Sequence, residues 1–136
     1  MSINLIYILI FSTFYTALAL KVERIRTLAE PDAQSIACLI SDAFDVKSVF
    51  RVRKLSVYNH SIQVRHRLDN LSPHGLFVAR DNTDGIKGFV EVGLARVGAS
   101  EEPQPLIGNL VVAPDARRGG VGSRLVTAAE ELVSAW

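Results

Sequence analysis

The sequence has few of the residues from which small proteins build covalent or metal cross-links. It contains a single cysteine, Cys38, in 136 residues. The chain therefore cannot form an internal disulfide or build a zinc site from cysteines. Its histidines, His60, His66 and His74, do not have the spacing of a metal site. We expect them on exposed segments, expect Cys38 in the core, and assign no metal.

The sequence also lacks a strong net charge. Its 15 Lys+Arg residues and 14 Asp+Glu residues give a formal charge of +1. A dedicated nucleic-acid-binding protein is usually strongly basic, so we expect no nucleic-acid partner. The length of 136 residues fits one domain and leaves no room for two.

Charged residues are missing altogether from the first 20 positions, so all 29 of them lie in the remaining 116. Residues 3–20 form an apolar run that only four polar residues interrupt: Asn4, Ser12, Thr13 and Thr16. As a helix this run would span roughly 27 Å, at the short end of a membrane crossing. We therefore divide the chain into a hydrophobic leader at 1–20 and a folded domain at 21–136.

The pattern of the leader is compatible with either cleavage or retention as a membrane anchor. Residues 17–19 (Ala-Leu-Ala) have the small-x-small pattern of a signal-peptidase site. An uncleaved run, followed by Lys21, Arg24 and Arg26, would instead anchor the domain on the cytosolic side of a membrane. A buried helix is a further alternative. We expect a secretory-pathway or membrane-anchored protein, associated with the membrane through residues 3–20, with organellar (plastid) or cytoplasmic placement as alternatives.

The first part of the domain has a strand pattern followed by helix patterns. Residues 22–28 alternate apolar and polar side chains, which predicts a half-buried strand. Pro31 and Asp32 are typical of a helix start. The helix they open has one continuous apolar stripe, formed by Ile36, Leu39, Ile40, Ala43 and Phe44. The basic segment 46–68 predicts a second helix with loops.

The second part of the domain changes to a strand period. Residues 75–80 and 86–97 read as a hairpin around a turn at 81–85, and 106–112 as a further strand. A last helical stripe contains Val121, Leu125, Val126, Ala129, Leu132, Val133 and Trp136. The order of elements predicts a mixed α/β (α+β) layer fold.

The turn before the last helix has a pattern suited to binding an anion. The strand at 106–112 leads through Pro114 into residues 117–122, which read Arg-Arg-Gly-Gly-Val-Gly. Glycines let the backbone approach a ligand closely, and the first amides of a helix lack internal partners. A phosphate or pyrophosphate is the natural ligand. No lysine follows the glycines as a Walker loop requires, and Leu125 stands where a Rossmann loop needs a third glycine.

Residues 112–122 closely resemble motif A of the GCN5-related N-acetyltransferases (GNATs). That signature is Arg/Gln-x-x-Gly-x-Gly/Ala after a strand ending Val-x-Pro, and Val112-Ala113-Pro114 with residues 117–122 match every fixed position. Residues 25–33 resemble the family's first strand and helix start, and residues 88–92 its third strand. The resemblance covers residues 24–136. It implies a mixed, mainly antiparallel sheet with flanking helices.

The resemblance also implies a chemistry and its residues. Acetyl-CoA would be the donor and an amine the acceptor, with no metal. Backbone groups of Leu110, Val111 and Val112 would hold the pantetheine arm. The pyrophosphate would lie on the loop formed by Arg117, Arg118, Gly119, Gly120, Val121, Gly122 and Ser123.

Two polar residues are the candidates for catalysis. The amine must lose a proton before it attacks, and Glu91 is the carboxylate we predict to serve, through water. Asn109, on the donor strand, is predicted to orient a water or the amine. The alternative for each is a structural role: a strand glutamate facing solvent, and a polar contact at a strand end. The basic stretch 47–67 falls where the family builds its acceptor-side wall, although a solvated basic face is the simpler interpretation.

The sequence departs from the family pattern after the motif A helix. Family members continue with a fifth strand, a further helix and a terminal hairpin, and this sequence stops at Trp136. We therefore expect the C-terminal strands to be missing and this form to be a truncated product with weak or no activity. The leading function is amine N-acetylation (of a protein N-terminus, a lysine or a small amine). The alternative is an inactive acyl-CoA-binding or regulatory fragment.

Overall fold

The computed structural model describes residues 19–44, 50–70, 73–96, 98–99 and 102–136. Four strands and three helices follow one another along this part of the chain. In order they are β1 (Lys21–Ile25), α1 (Glu30–Phe44), α2 (Phe50–Asn70), β2 (His74–Arg80), β3 (Ile86–Ala95), β4 (Gln104–Val112) and α3 (Val121–Val133).

The four strands form one sheet in the order β1-β2-β3-β4, and every neighbouring pair is antiparallel. The β2–β3 hairpin closes on Asp81, whose Oδ1 accepts hydrogen bonds from the amides of Thr83 and Gly85, both at 2.9 Å. Such a side-chain-to-backbone turn is typical of aspartate at the start of a tight loop. The predicted mixed, mainly antiparallel fold is confirmed.

Helices cover both faces of the sheet, so the domain has two apolar layers. On one face, α1 and α2 enclose a cluster that includes Ile36, Val64 and Phe89. On the other face, α3 packs through Val121, Leu125 and Ala129. Side chains of a strand point alternately to the two faces, so neighbours on β2 and β3 contribute to different layers.

The apolar stripes are buried over only part of their predicted length. In α1, Ile36 and Ile40 are buried and Leu39 is half-buried, but Phe44 is 61% exposed. Beyond α3, Trp136 is exposed. A helical repeat decides which residues share a face, but the extent of the neighbouring elements decides how much of that face is covered. Cys38, predicted in the core, is half-buried.

The predicted leader lies almost wholly outside the described residues, of which Ala19 is the first. Leu20 is half-buried and packs against the α3 side of the sheet. None of the helices in the described ranges is long and apolar enough to cross a membrane.

Candidate functional site

The loop between β4 and α3 has an unusual backbone path. A short 3₁₀ turn, Pro114–Ala116, follows β4, and then Arg118 and Gly120 both have positive φ values, 65° and 75°. Gly120 is the residue directly before α3. A left-handed conformation suits glycine there, whereas at Arg118 it costs on the order of 1 kcal/mol or more. Backbone strain of this kind is concentrated at ligand-binding turns.

This path leaves a series of backbone amides directed away from the protein's own acceptors. The first turn of α3 is closed by the amide of Arg124, which donates to the carbonyl of Gly120 at 3.1 Å. Within the described part of the chain, the amides of residues 118–123 have no backbone acceptor outside regular helix and strand bonding. Helix geometry also leaves the first α3 amides without internal partners, and the helix dipole adds partial positive charge. We call the amides of residues 118–123 the amide cradle, and unpaired amides at a helix N-terminus are of the kind that suits an anion.

The glycines of the loop leave space for a ligand. A Cβ atom added at Gly122 would lie 3.8 Å from Val112 Cγ2, and one added at Gly119 would lie 3.8 Å from the Ala116 carbonyl oxygen. Both are ordinary contacts, and a Cβ at Gly120 would meet nothing within 4 Å. Packing within the protein therefore does not require glycine at positions 119 and 122.

The strand before the loop presents a free edge. Among the described residues β4 pairs with β3 alone, so the peptide groups on its outer edge have no strand partner. Leu110 is exposed, Val112 is half-buried and Val111 is buried under α1 and α2. Arg117 Nε donates to the Val112 carbonyl at 3.0 Å, which ties the loop to the end of the strand. The predicted pantetheine-binding strand and the predicted phosphate loop are therefore continuous.

A cleft with polar side chains among a largely apolar lining lies at the other end of this edge. It has a volume of about 230 Å³, and its lining includes Arg67, His74, Glu91, Gly108 and Asn109. Asn109 is paired with Glu91 across β3 and β4, and the register shifts at the next step, leaving Gly108 as an extra residue in β4. A bulge of this kind bends a strand and redirects its peptide groups.

Glu91 is the centre of the cleft's hydrogen-bond network. Its side chain is 3% exposed. Arg67 from α2 donates a hydrogen bond to each carboxylate oxygen, from Nε to Oε1 at 3.1 Å and from Nη2 to Oε2 at 2.9 Å. Asn109 Nδ2 donates to Oε2 at 2.5 Å. His74 from β2 brings Nε2 to 3.7 Å from Oε1.

These partners keep Glu91 ionised. Burial by itself would raise the pKa of the carboxyl group, but the neighbouring His74 and the hydrogen bonds from Arg67 and Asn109 outweigh it and lower the pKa to about 2. The Arg67 and Asn109 contacts are the stronger ones, because the His74 nitrogen is 3.7 Å away, beyond hydrogen-bond distance. At neutral pH the cleft therefore contains a buried carboxylate that is fully ionised and already hydrogen-bonded.

The lowered pKa predicts a loss of stability in acid. A depressed carboxyl pKa contributes stability above the unfolded-state value of about 4.3, and that contribution disappears as the pH falls toward the folded value. For a folded pKa of about 2 this contribution is about 3 kcal/mol. We expect denaturant unfolding between pH 6 and pH 2 to show this loss in the wild type. The Glu91→Gln variant should lack it, and parallel pH curves for the two proteins would contradict the assignment.

The structure brings together the two predicted catalytic residues, Glu91 and Asn109, whose roles in catalysis stay predictions. It also adds two residues that the sequence analysis did not assign to the site. In the sequence, Arg67 is one of several basic residues in the stretch 47–67, and no feature distinguishes it from the others. The expectation of an exposed His74 is wrong: its side chain is 5% exposed, and its Nδ1 is buried without a hydrogen-bond partner. His74 is the first residue of β2 and lies beneath α2. Tertiary packing therefore buries a side chain that the sequence pattern places on an exposed segment.

Metal-binding side chains are not grouped in this region. Across the described ranges, no three His, Cys, Asp or Glu side chains are placed to hold a metal ion. His60 and His66 lie on α2, away from any such group.

Comparison with protein families identifies the segment from β2 to α3. The family model of the acetyltransferase (GNAT) domain matches residues 72–135. No curated protein matches the sequence of the chain.

Several solved structures similar to the chain are acetyltransferases. An aminoglycoside acetyltransferase from an uncultured soil metagenomic sample, in complex with sisomicin, is 27% identical with a TM-score of 0.56 over 86% of this chain and 71% of that one. A GNAT family N-acetyltransferase from Escherichia coli, in complex with CoA, is 18% identical with a TM-score of 0.62 over 87% of this chain and 58% of that one.

A third similar structure belongs to a much longer protein. It contains the glucosamine N-acetyltransferase region of a fungal multi-domain GH3 β-N-acetylglucosaminidase, at 22% identity and a TM-score of 0.61, and the match covers 83% of this chain and 12% of that one. The chain thus spans between 12% and 71% of the three proteins. The family match, the fold and the motif agree, and residues 72–135 are identified as an acetyltransferase (GNAT) domain segment.

Proposed function

We propose that this chain transfers an acetyl group from acetyl-CoA to an amine, either a small amine, a lysine side chain or a protein N-terminus. One observation carries the proposal: the amide cradle of residues 118–123 and the Glu91 cleft lie at opposite ends of one free edge of β4. From Asn109 to Val112 this edge extends about 10 Å. A long donor molecule with a phosphate end and a reactive end could lie along it.

The loop residues are proposed to hold the donor by its phosphates. The amides of residues 118–123 would donate to the pyrophosphate oxygens, and the guanidinium of Arg118 would add full positive charge. Arg117 would support the loop by its bond to the Val112 carbonyl, at 3.0 Å. The free peptide groups of Leu110, Val111 and Val112 would hydrogen-bond the pantetheine arm.

The cleft is proposed to receive the acceptor amine. Acetyl-CoA supplies an acyl group activated as a thioester. The amine nitrogen forms a bond to the acyl carbon, the carbon–sulfur bond breaks, and a proton from the nitrogen passes to the departing sulfur. A backbone amide of β4 directed at the acyl oxygen would stabilise the negative charge that develops there. Glu91 and Asn109 line the cleft beside β4.

The proposal predicts two results with the whole chain. CoA at 100 times its dissociation constant should raise the free energy of unfolding by about 2.7 kcal/mol. Acetyl-CoA with a panel of amines should yield products whose mass is raised by one acetyl group. No stabilisation by CoA would contradict the proposal. Stabilisation without transfer to any amine would instead favour an acyl-CoA-binding or regulatory protein, for which the exposed Leu106, Ile107 and Leu110 on β4 would offer a contact surface.

A further inference from the structure

The side-chain amide of Asn109 has a defined orientation in the cleft. Its nitrogen donates to Glu91 Oε2 at 2.5 Å. Because an ionised carboxylate only accepts hydrogen bonds, this contact determines which end of the amide is nitrogen. The Asn109 oxygen therefore lies on the side away from Glu91, and Asn109 lines the cleft.

Both oxygens of Glu91 are already occupied. Oε1 accepts from Arg67 Nε at 3.1 Å, and Oε2 accepts from Arg67 Nη2 at 2.9 Å as well as from Asn109. The Arg67 contact is the bidentate type, which holds a carboxylate in a defined orientation. A carboxylate with this many donors can orient a neighbour, but it is poorly placed to take up a proton or bind a water.

We propose that Glu91 and Arg67 are positioning residues that act through Asn109, whose side-chain oxygen accepts a hydrogen bond from the acceptor amine and aims its lone pair at the acyl carbon. This inference rests on the proposed acetyltransferase function. It gives Asn109 the direct contact with the acceptor and gives Glu91 no proton to carry. The pKa of Glu91, lowered to about 2, agrees with that division of roles.

The proton balance then does not involve the carboxylate. The acceptor releases one proton to solvent and enters the cleft as the neutral amine. After the nitrogen–carbon bond forms, the second proton leaves the nitrogen for the thiol sulfur. Asn109 Oδ1 is a suitable partner for this nitrogen because it accepts one N–H and leaves the lone pair free.

Exchanging the two side chains tests the positioning role. The Asn109→Asp variant places a second carboxylate against Glu91, and we expect kcat to fall about 100-fold, as for other losses of alignment at reacting atoms. In Glu91→Gln/Asn109→Asp, the Gln amide can donate to the Asp carboxylate, and an oxygen again faces the cleft. We expect the double variant to recover kcat by about tenfold relative to Asn109→Asp, a coupling typical of directly bonded pairs. Independent losses that multiply in the double variant would overturn the proposal.

A matched control variant and a binding measurement accompany the test with the Glu91 and Asn109 variants. Glu30→Gln removes an exposed carboxylate that pairs with Arg65 in the same helical layer, at 2.6 Å, and should leave kcat unchanged. CoA should stabilise the Asn109→Asp variant as much as the wild type, because the donor is held elsewhere. Loss of that stabilisation would show that the substitution damages the fold rather than the acceptor's alignment.

The pH profile separates this proposal from proton transfer by the protein. The charged and titratable groups that face the cleft are Arg67 from α2, His74 from β2 and Glu91 from β3. If the amine loses its proton to solvent, the rise of kcat/KM with pH should move with the pKa of the amine across a series of acceptors. A rise at the same pH for every acceptor would indicate a base on the protein and overturn the proposal.

A spectroscopic measurement does not depend on turnover. In the wild type, one side-chain amide proton of Asn109 should exchange slowly with solvent, because it is donated to a buried carboxylate. In the Glu91→Gln variant that exchange should accelerate by at least tenfold, and equal rates in the two proteins would overturn the assignment. If the wild type neither binds CoA nor acetylates amines while this exchange result holds, the proposed function fails and the orientation of Asn109 stands.

Discussion

Gly122→Glu is expected to abolish stabilisation by CoA without destabilising the unliganded protein. A Cβ at position 122 makes only an ordinary contact, 3.8 Å from Val112. In the first turn of α3, glutamate has a better helix propensity than glycine and a favourable interaction with the helix dipole, each worth up to about 1 kcal/mol. The same carboxylate would stand over the amide cradle and repel a pyrophosphate. At 100 times the wild-type dissociation constant of CoA, a thermal shift of about 10 °C should disappear.

Two substitutions at the same position separate charge from bulk. Gly122→Ala should retain most of the CoA shift, because the motif accepts alanine there and the space is open. Gly122→Gln has nearly the volume of glutamate without its charge, so we expect an intermediate shift. If Gly122→Glu keeps the full CoA shift while the protein is folded, the cradle is not the phosphate site.

Arg67→Met is expected to be the most destabilising single substitution in the cleft. It would leave the Glu91 carboxylate, 3% exposed, without its cationic partner. Removing one member of a buried ion pair costs about 3–5 kcal/mol, because the remaining charge stays away from water. Urea unfolding at pH 7 measures this loss directly as a lower transition midpoint with an unchanged slope.

The same helix supplies the control for this prediction. Arg65 pairs with Glu30 at 2.6 Å on the exposed side of α2, and Arg65→Met should cost less than about 1 kcal/mol. The double variant Arg67→Met/Glu91→Met removes the buried carboxylate together with its partner and should recover most of the stability. Equal effects of Arg65→Met and Arg67→Met would mean that water reaches Glu91 in the folded protein.

The sequence predicted the helices and strands whose formation depends on residues close together in the chain. The β2–β3 hairpin follows from two apolar runs around an aspartate turn, and α3 follows from a glycine-rich start with apolar residues at helical spacing. The sequence predicted these elements to within a few residues. Their ends were less predictable, as at β1, predicted to residue 28 but ending at Ile25. Strand ends depend on the partner strand, and β1 pairs only as far as Ile25 with Leu76.

The two halves of the site differed in how far they could be predicted. The phosphate loop is continuous in sequence, so glycine spacing and a preceding strand are enough to indicate it. The cleft joins residues from four elements: Arg67 of α2, His74 of β2, Glu91 of β3 and Asn109 of β4. Glu91 and Asn109 were predicted separately as candidates, but no spacing rule connects either of them with Arg67.

By itself, the sequence predicted the resemblance to GNAT acetyltransferases, the order of the elements and the loop proposed to bind an anion, because each depends on residues that are neighbours along the chain. The single cysteine also excludes an internal disulfide, so this domain depends on apolar packing rather than on covalent cross-links. Only the tertiary structure decided whether Glu91 is buried and ionised. Whether a strand glutamate faces solvent or is a buried, ionised carboxylate depends on which helix covers it, and here α2 brings Arg67 within 2.9 Å. A charge can remain in a buried position only where folding supplies its partner, and that partner is 24 residues away in the chain.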